Sequence, residues 1–379
     1  MALVLTEEQR LLQDTAKNFL ESNAPVGALR KLRDDHDPLG YSPDLWRQMA
    51  EMGWASIILP EAYGGLDFGF LGLGVVLEES GRTLAASPLF ASGVLGASTI
   101  ILGGSEEQKQ TLLPAIAGGE LTLALALEES NHHRPTHINT TATVQGDEVV
   151  LNGSKCFVLD GHSADQLIVV ARTSGAERDS EGLTLVLVDR TADGVTCQRT
   201  ILMDSRNAAD IQFANVTVPA GNIIGQIDQG WAVLEPVLDR GRVAIAAEMM
   251  GIALEAFDRT SEYLKEREQF GAVIGTFQAL QHRSAHIQSE IELCRSVLLQ
   301  ALSTVDDAPS ELPLLASLAK TRLNELVKLV TNEAVQMHGG IGVTDELDIG
   351  FFLKRARVTM QILGDSGYHK DRYATLCGY

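Results

Sequence analysis

The stretch "TATVQGDEVVLNGSKCFVLDG", Thr141 to Gly161, decides how the chain divides. Val, Thr and Leu alternate with polar residues along it, the two-residue period of a half-buried strand. Gln145-Gly146-Asp147 and Asn152-Gly153 interrupt the runs, and both read as hairpin signals, because glycine tolerates the positive φ that such turns demand. Further strand-like runs follow in "QLIVVAR" (Gln166–Arg172), "LTLVLVD" (Leu183–Asp189) and "IQFANVTVP" (Ile211–Pro219).

On either side the apolar period lengthens to three and four residues. Before about residue 115, Leu, Ala, Glu and Arg recur at helical spacing, with breaks at "NAPVG", "LPEAYGGLDFG" and "AASP". After Trp231 three long apolar stripes run over Val237–Arg267, Phe277–Leu302 and Leu312–His338. The opening "MALVLTEEQRLLQDTAKNFLE" reads as an amphipathic helix. Thr6 and Gln9 have capping-box spacing, and Leu11, Leu12, Ala16, Phe19 and Leu20 share a stripe. The expected fold is α+β: a helical domain over residues 1–118, a small β domain over 119–228 and a four-helix-type bundle over 229–379.

The 379 residues are 45% hydrophobic and 21% charged, an ordinary globular balance. No apolar run nears the roughly 20 residues that span a bilayer. Acidic residues stand where a signal peptide is basic, so a soluble cytoplasmic protein is expected. Four scattered cysteines (Cys156, Cys197, Cys294, Cys377) form no C-x-x-C pair and read as reduced thiols. A formal charge of −20 argues against a nucleic-acid footprint. It leaves room for an anionic ligand, since local Arg residues and helix N-termini can hold phosphate. His132 and His133 lack a third ligand at metal spacing, and no metal is expected.

Two glycine-rich pieces need weighing. "GFLGLG" (Gly69–Gly74) follows no strand and lacks G-x-G-x-x-G spacing, so a dinucleotide-binding turn is not expected. "HGGIGVT" (His338–Thr344) follows a long helical stretch and reads first as a helix C-cap. A close backbone approach to a ligand is the alternative.

Taken in order, the motifs resemble the acyl-CoA dehydrogenase family over nearly the whole chain. "LTEEQRLLQDTAKNFL", "MGWASIILPEAYGGLDFG" and "LEESGRTLAASP" are similar to its N-terminal helical domain, and "VVLNGSKCFVLDGHSADQLIVVAR" to its middle domain. "YLKEREQFGAVIGTFQALQ" and "QMHGGIGVTDE" resemble its two most specific C-terminal motifs. The resemblance implies FAD, an acyl-CoA thioester substrate and its 2,3-dehydrogenation. In that reaction a carboxylate takes the α-proton, the β-hydride passes to the flavin, and hydrogen bonds to the thioester carbonyl stabilise the developing enolate. It also implies a dimer or dimer of dimers in which each chain helps hold its neighbour's FAD, and an electron-transferring flavoprotein as acceptor.

By that resemblance Arg267 pairs with the FAD diphosphate, a task suited to its planar fork of donors. Phe270 and Phe277 line the adenosine, Gln278 adds polar contacts, and Gln336, Met337, His338, Gly339 and Gly340 lie along the adenine and diphosphate. The flavin end departs from the family. In "LEESNHHRPTH", Glu128 replaces a hydroxyl residue and Ser130 a proline, while His132, His133 and Arg134 occupy a turn of small residues. The family's Trp-Ile-Thr is "FVL" here: Phe157 keeps an aromatic face, and Leu159 has no hydroxyl.

The resemblance also implies a catalytic glutamate in one of two positions, and both are glycine: Gly364 in "LGDS" and Gly241 in "LDRGR". Asp365 is one step away, a turn of about 100° on a helix. Glu248 lies a heptad beyond Gly241, about 10 Å along the axis, and reads better as the partner of a core arginine such as Arg242. Glu128 reads as a partner for Arg134. Three readings stand. The favoured one is a base-lacking subunit of a two-chain dehydrogenase, similar to those acting on steroid side-chain or pimeloyl-CoA substrates, which lends the FAD adenosine and diphosphate contacts to a related chain. The others are a self-sufficient homomeric enzyme using Asp365, and a flavin-free acyl-CoA-binding relative.

Overall fold

A computed structural model describes residues 4–379 of the chain. It opens with helices α1 (Glu7–Asn23), α2 (Val26–Asp34), α3 (Pro43–Glu51), α4 (Gly69–Thr83), α5 (Ala97–Gly103) and α6 (Glu106–Ala117). Strands follow: β1 (Leu123–Ala126), β2 (Thr141–Gln145), β3 (Glu148–Leu159), β4 (Gln166–Arg172), β5 (Leu183–Asp189), β6 (Val195–Ile201), β7 (Asn207–Pro219) and β8 (Ile223–Ile224). Then come α7 (Gly230–Glu266), a small hairpin of β9 (Glu268–Gln269) and β10 (Ala272–Val273), α8 (Gln278–Asp307), α9 (Leu312–His338), α10 (Ile349–Thr359) and α11 (Ser366–Leu376). The expected α+β order of helices, β domain and helices is what the chain adopts.

The residues group into two compact units, each discontinuous in sequence. The sheet-bearing unit comprises residues 32–69 and 86–241. Its strands run in the order β6-β7-β3-β2-β4-β5-β8, with β1 pairing parallel to β4. Alternate side chains of β2, β3, β4, β5 and β7, among them Val149, Leu151, Val169, Val186 and Ile211, form one buried cluster. Gly146-Asp147 makes the expected two-residue turn, joining Gln145 to Glu148 across β2 and β3. Asn152-Gly153 does not turn the chain. It lies inside β3, where the pairing with β7 slips between Leu151 and Gly153. Gly153 stands at φ +148, and a Cβ there would meet Thr140 Cα at 2.6 Å, so the glycine serves a bulge and a close approach instead of a hairpin.

The helical unit comprises the chain up to Lys31, residues 70–85 and residues 242–379. Thr6 and Gln9 form the anticipated capping box of α1, whose Ala16 and Leu20 are buried. Leu11, assigned to the same stripe, is 68% exposed, because the buried face of α1 is narrower than the sequence stripe. Helices α4 and α7 cross in backbone contact. A Cβ on Gly81 would stand 2.1 Å from the carbonyl oxygen of Glu248, and one on Gly251 would stand 1.8 Å from that of Glu78. "GFLGLG" begins α4, and Gly74 there lets Leu302 of α8 pack against the helix backbone. An ion-pair chain ties the helices further. Arg30 meets Asp345 (2.7 Å) and Asp348 (2.8 Å), Arg259 meets Asp348 (3.3 Å) and Glu255 (2.9 Å), and Arg82 meets Glu255 (3.3 Å) and Asp258 (2.9 Å).

The helix crossing predicts a contrast between glycines. Gly251→Ala is expected to lower the unfolding free energy by about 3 kcal/mol or more, since rigid backbone blocks the new methyl. Gly27→Ala in α2, where a Cβ meets nothing within 4 Å, is expected to be neutral or to stabilise by up to about 1 kcal/mol. Urea denaturation midpoints of the two variants check this.

Candidate functional site

Three groups of residues are the candidates for function, and each follows from local chain geometry. The first lies around the turn from α7 into α8. Phe270 (φ 54) and Gly271 (φ 76) are the two central residues of the β9–β10 hairpin, both at the positive φ of a primed turn. Phe270 is 94% exposed and meets Phe277 edge-on, ring centroids 6.4 Å apart. Arg267, just after α7, is exposed, and its guanidinium has no partner among the described residues. Gln278 opens α8 at the surface. At the end of α9, Gln336 is exposed, while Met337 and His338 are buried.

Gly339 (φ 64) caps α9, its N–H donating to Gln336 O, as expected of a glycine there. A Cβ on Gly339 or Gly340 would meet nothing, so this backbone is open on its outer side. The two segments are joined by a residue that sequence reading missed. Tyr263 stacks at 4.4 Å on the His338 ring, and its hydroxyl donates to His338 O at 3.4 Å. Tyr263 sits one turn before Arg267, a spacing from which the contact is not evident. Burial lowers the His338 pKa, which keeps the ring neutral as a packing surface. A free guanidinium, two aromatic faces and an open glycine backbone suit the adenosine and diphosphate of a nucleotide such as FAD. Met337 and His338 are buried beneath this backbone.

The second group lies in the sheet-bearing unit, on the loop after β1. Glu128 Oε1 lies 2.5 Å from His133 Nδ1, and the two side chains are only 15% and 4% exposed. The expected partner Arg134 is exposed instead, because its longer side chain can stay hydrated while the compact imidazole tucks in. Glu129 accepts from the N–H groups of Asn139 (2.6 Å) and Thr140 (3.0 Å) and from Lys155 Nζ (2.7 Å). Lys155, fully enclosed, also donates to Leu127 O at 3.1 Å. Burial pushes its pKa down to about 8, opposed by Glu129. Burial raises the Glu129 carboxyl, but Lys155 and its backbone donors outweigh this and leave it below its ordinary value. Phe157 (φ 52) sits in a second irregularity of β3, between Lys155 and Val158, half-buried. Leu159 ends the strand without a hydroxyl. The loop is filled by its own Glu128–His133 contact and offers few free donors to an isoalloxazine. His132 is exposed, and among the described residues no three His, Cys, Asp or Glu are grouped to hold a metal ion.

The third group surrounds Gly364, between α10 and α11. Gly364 is buried at φ +112, and a Cβ there would lie 2.6 Å from Tyr368 Cδ1 and 2.8 Å from His369 Nε2. The turn is clamped by donors. Leu363 O accepts from His369 Nε2 (3.0 Å) and Arg242 Nε (3.3 Å). Gly364 O accepts from Lys320 Nζ (3.2 Å), which also donates to Thr359 O (3.0 Å) and Asn324 Oδ1 (2.8 Å). Asp365 is the N-cap of α11, accepting from the Tyr368 N–H at 2.8 Å, so its carboxylate is engaged on the helix start. Glu248 does pair with a core arginine, but with Arg355 rather than Arg242. The contact is two-pronged, 2.7 Å (Nε to Oε1) and 3.0 Å (Nη2 to Oε2), with both side chains 7% exposed or less. Arg242 turns instead to Leu363 O and the Tyr368 ring. Gly241 is buried inside α7.

Burial lowers the Lys320 pKa to about 7, helped by Arg242 and opposed by Asp365. Between about pH 7 and the ordinary lysine range the unfolded chain therefore binds a proton that the folded chain does not, and stability rises with pH across that window. Lys320→Met is expected to flatten that rise, measured as the difference in urea stability between wild type and variant from pH 6.5 to 9.5.

Models of the acyl-CoA dehydrogenase N-terminal, middle and C-terminal domains match residues 6–120, 124–216 and 228–375. Cyclohex-1-ene-1-carbonyl-CoA dehydrogenase of Geobacter metallireducens is 34% identical over 366 residues, 95% of each chain. Among solved structures, butyryl-CoA dehydrogenase from Megasphaera elsdenii superposes with a TM-score of 0.92 at 26% identity, covering 100% of both chains. A variant of the Tcur3481-Tcur3483 steroid ACAD superposes with a TM-score of 0.88 at 32% identity, covering 98% of both chains.

Proposed function

The chain belongs to the acyl-CoA dehydrogenase family, and we propose that it is the base-lacking subunit of a two-chain, FAD-dependent acyl-CoA dehydrogenase. The family's oxidoreductase chemistry on CH–CH groups and its FAD set the frame. The observation that carries the finer reading is Gly364. A positive φ and the rings of Tyr368 and His369 bar any side chain from that position, so it is closed as well as empty of a carboxylate. Asp365, the nearest acid, is held as a helix cap, which weighs against a homomeric enzyme using it as base.

On this reading Arg267 donates to the diphosphate of a neighbouring chain's FAD. Phe270 and Phe277 flank the adenosine, Gln278 and Gln336 add polar contacts, and the Gly339-Gly340 backbone approaches closely. Met337 and His338, packed on Tyr263, hold that backbone in position. FAD, when bound, supplies the two-electron acceptor, and the partner chain supplies the base. The unpartnered guanidinium and the exposed Phe270 count against a flavin-free relative, which has no use for either. The proposed acyl group is cyclic and bulky, of the steroid side-chain kind. Two relatives at 32% and 34% identity are named for steroid and cyclohexene-carbonyl substrates. An electron-transferring flavoprotein is the proposed acceptor and the cytoplasm the proposed location; no described helix is long and apolar enough to cross a membrane.

Purified alone, the chain is expected to reduce an electron-accepting dye with acyl-CoA at background rate, and co-expression with a related chain should bring turnover and a flavin absorbance band. Full turnover from the chain alone would sink the proposal. Arg267→Ala in the complex should release FAD at least tenfold faster, and unchanged retention would count against the lending role. Gly364→Glu in the isolated chain is expected to yield no activity and to lose about 2–5 kcal/mol of stability from strain and overpacking. Dye turnover and urea denaturation measure the two effects.

A further inference from the structure

Away from these groups, within the helical unit, a cavity of about 420 Å³ opens among α4, α8 and the start of α1. Its origin is geometric. Helices α4 and α8 touch at Gly74, where a Cβ would stand 2.5 Å from Leu302 Cδ1. One turn further along α4 and two turns back along α8 stand Glu78 and Arg295, which both line the cavity. Leu71, Val75, Leu298 and Leu299 give it apolar faces, beside the polar Arg10, Asp14 and Arg295. Glu78 lines the cavity with its side chain 12% exposed. No hydrogen-bond donor reaches it among the described residues, and Arg295 Nη1, its nearest cation, is 3.7 Å away, beyond hydrogen-bond range. Gln13, which lines the same cavity, gives its amide to Glu79 at 3.2 Å.

We propose that this cavity is a binding site for an aliphatic primary amine, whose ammonium donates to the Glu78 carboxylate while its alkyl chain lies on the Leu and Val walls. A carboxylate in an apolar setting is an acceptor only, and it costs free energy until donors reach it. An ammonium supplies three donors and the opposite charge, and a charge-assisted bond in such a setting is among the stronger ones. The ordinary rise of the Glu78 carboxyl on burial, only partly countered by Arg295 and Arg82, is consistent with a group still short of partners. The volume lies within the range of small-molecule sites, about 300–1,000 Å³. The site shares no residue with the proposed FAD contacts.

Calorimetric titration of the full chain, in the assembly in which it is purified, tests the proposal with hexylammonium as probe and hexan-1-ol and hexanoate as controls. Hexylammonium should bind once per chain, both controls at least tenfold more weakly. Glu78→Gln, which keeps the shape and removes the charge, should weaken the amine at least tenfold, and Leu299→Trp, which fills the cavity, should abolish binding. Absence of amine binding, equal binding of the alcohol or the acid, or an unchanged affinity in Glu78→Gln would overturn it.

Discussion

A buried lysine governs the α10–α11 end of the helical unit. Lys320 projects from α9 with no exposed surface and gives its ammonium to Asn324 and to the carbonyls of Thr359 and Gly364. Burying an ammonium costs several kcal/mol unless its donors are met, and here carbonyl oxygens of the α10–α11 connection meet them. The connection is thus fixed from α9, while Arg242 and His369 hold the preceding carbonyl. A segment tied this way has little freedom to swing a side chain towards a substrate. The same density of donors explains why Gly364 is needed: left-handed backbone next to two aromatic rings leaves no room for a Cβ.

The clamp also shows how the space around Gly364 is filled. A glycine in an open turn would leave a hole that solvent or another acid could occupy. Instead the space is taken by Tyr368 and His369, and the one adjacent acid caps α11. The buried Glu248–Arg355 pair makes the same point elsewhere in the unit. Removing either partner would strand a buried charge at a cost of about 3–5 kcal/mol, so Glu248 is bound to structure and unavailable for proton transfer.

Much of this was legible in the sequence where the signal is local. The capping box at Thr6 and Gln9, the Gly146-Asp147 turn, the glycine cap after His338 and the three long helices all follow from residue types within a few positions of one another. What escaped depends on contacts far apart in sequence. Asn152-Gly153 carries a turn signature, yet its glycine answers to Thr140 on another segment. Glu248 could be recognised as a core ion-pair member, but choosing Arg355 over Arg242 requires knowing how α10 lies on α7. His133 rather than Arg134 meets Glu128, because side-chain length and burial outweigh nominal charge. Tyr263 opens the "YLKEREQFG" motif without signalling a role of its own, and only its stacking on His338 reveals its part.

The two exposed features at the α7–α8 turn resist a purely internal explanation. A phenylalanine in left-handed backbone costs about 1–2 kcal/mol relative to its usual region, and at 94% exposure it recovers almost nothing by burial within this chain. Phe270 is therefore, on balance, a cost to the isolated fold, whereas the exposed Arg267 beside it stays hydrated. Such residues persist most readily where something outside the chain covers them. Their chemistry, an aromatic face beside a forked cation, matches a nucleotide better than another protein's apolar patch. The energetic deficit at this turn and the closed turn at Gly364 are thus two separate strains in the fold, and the proposed function gives each a reason.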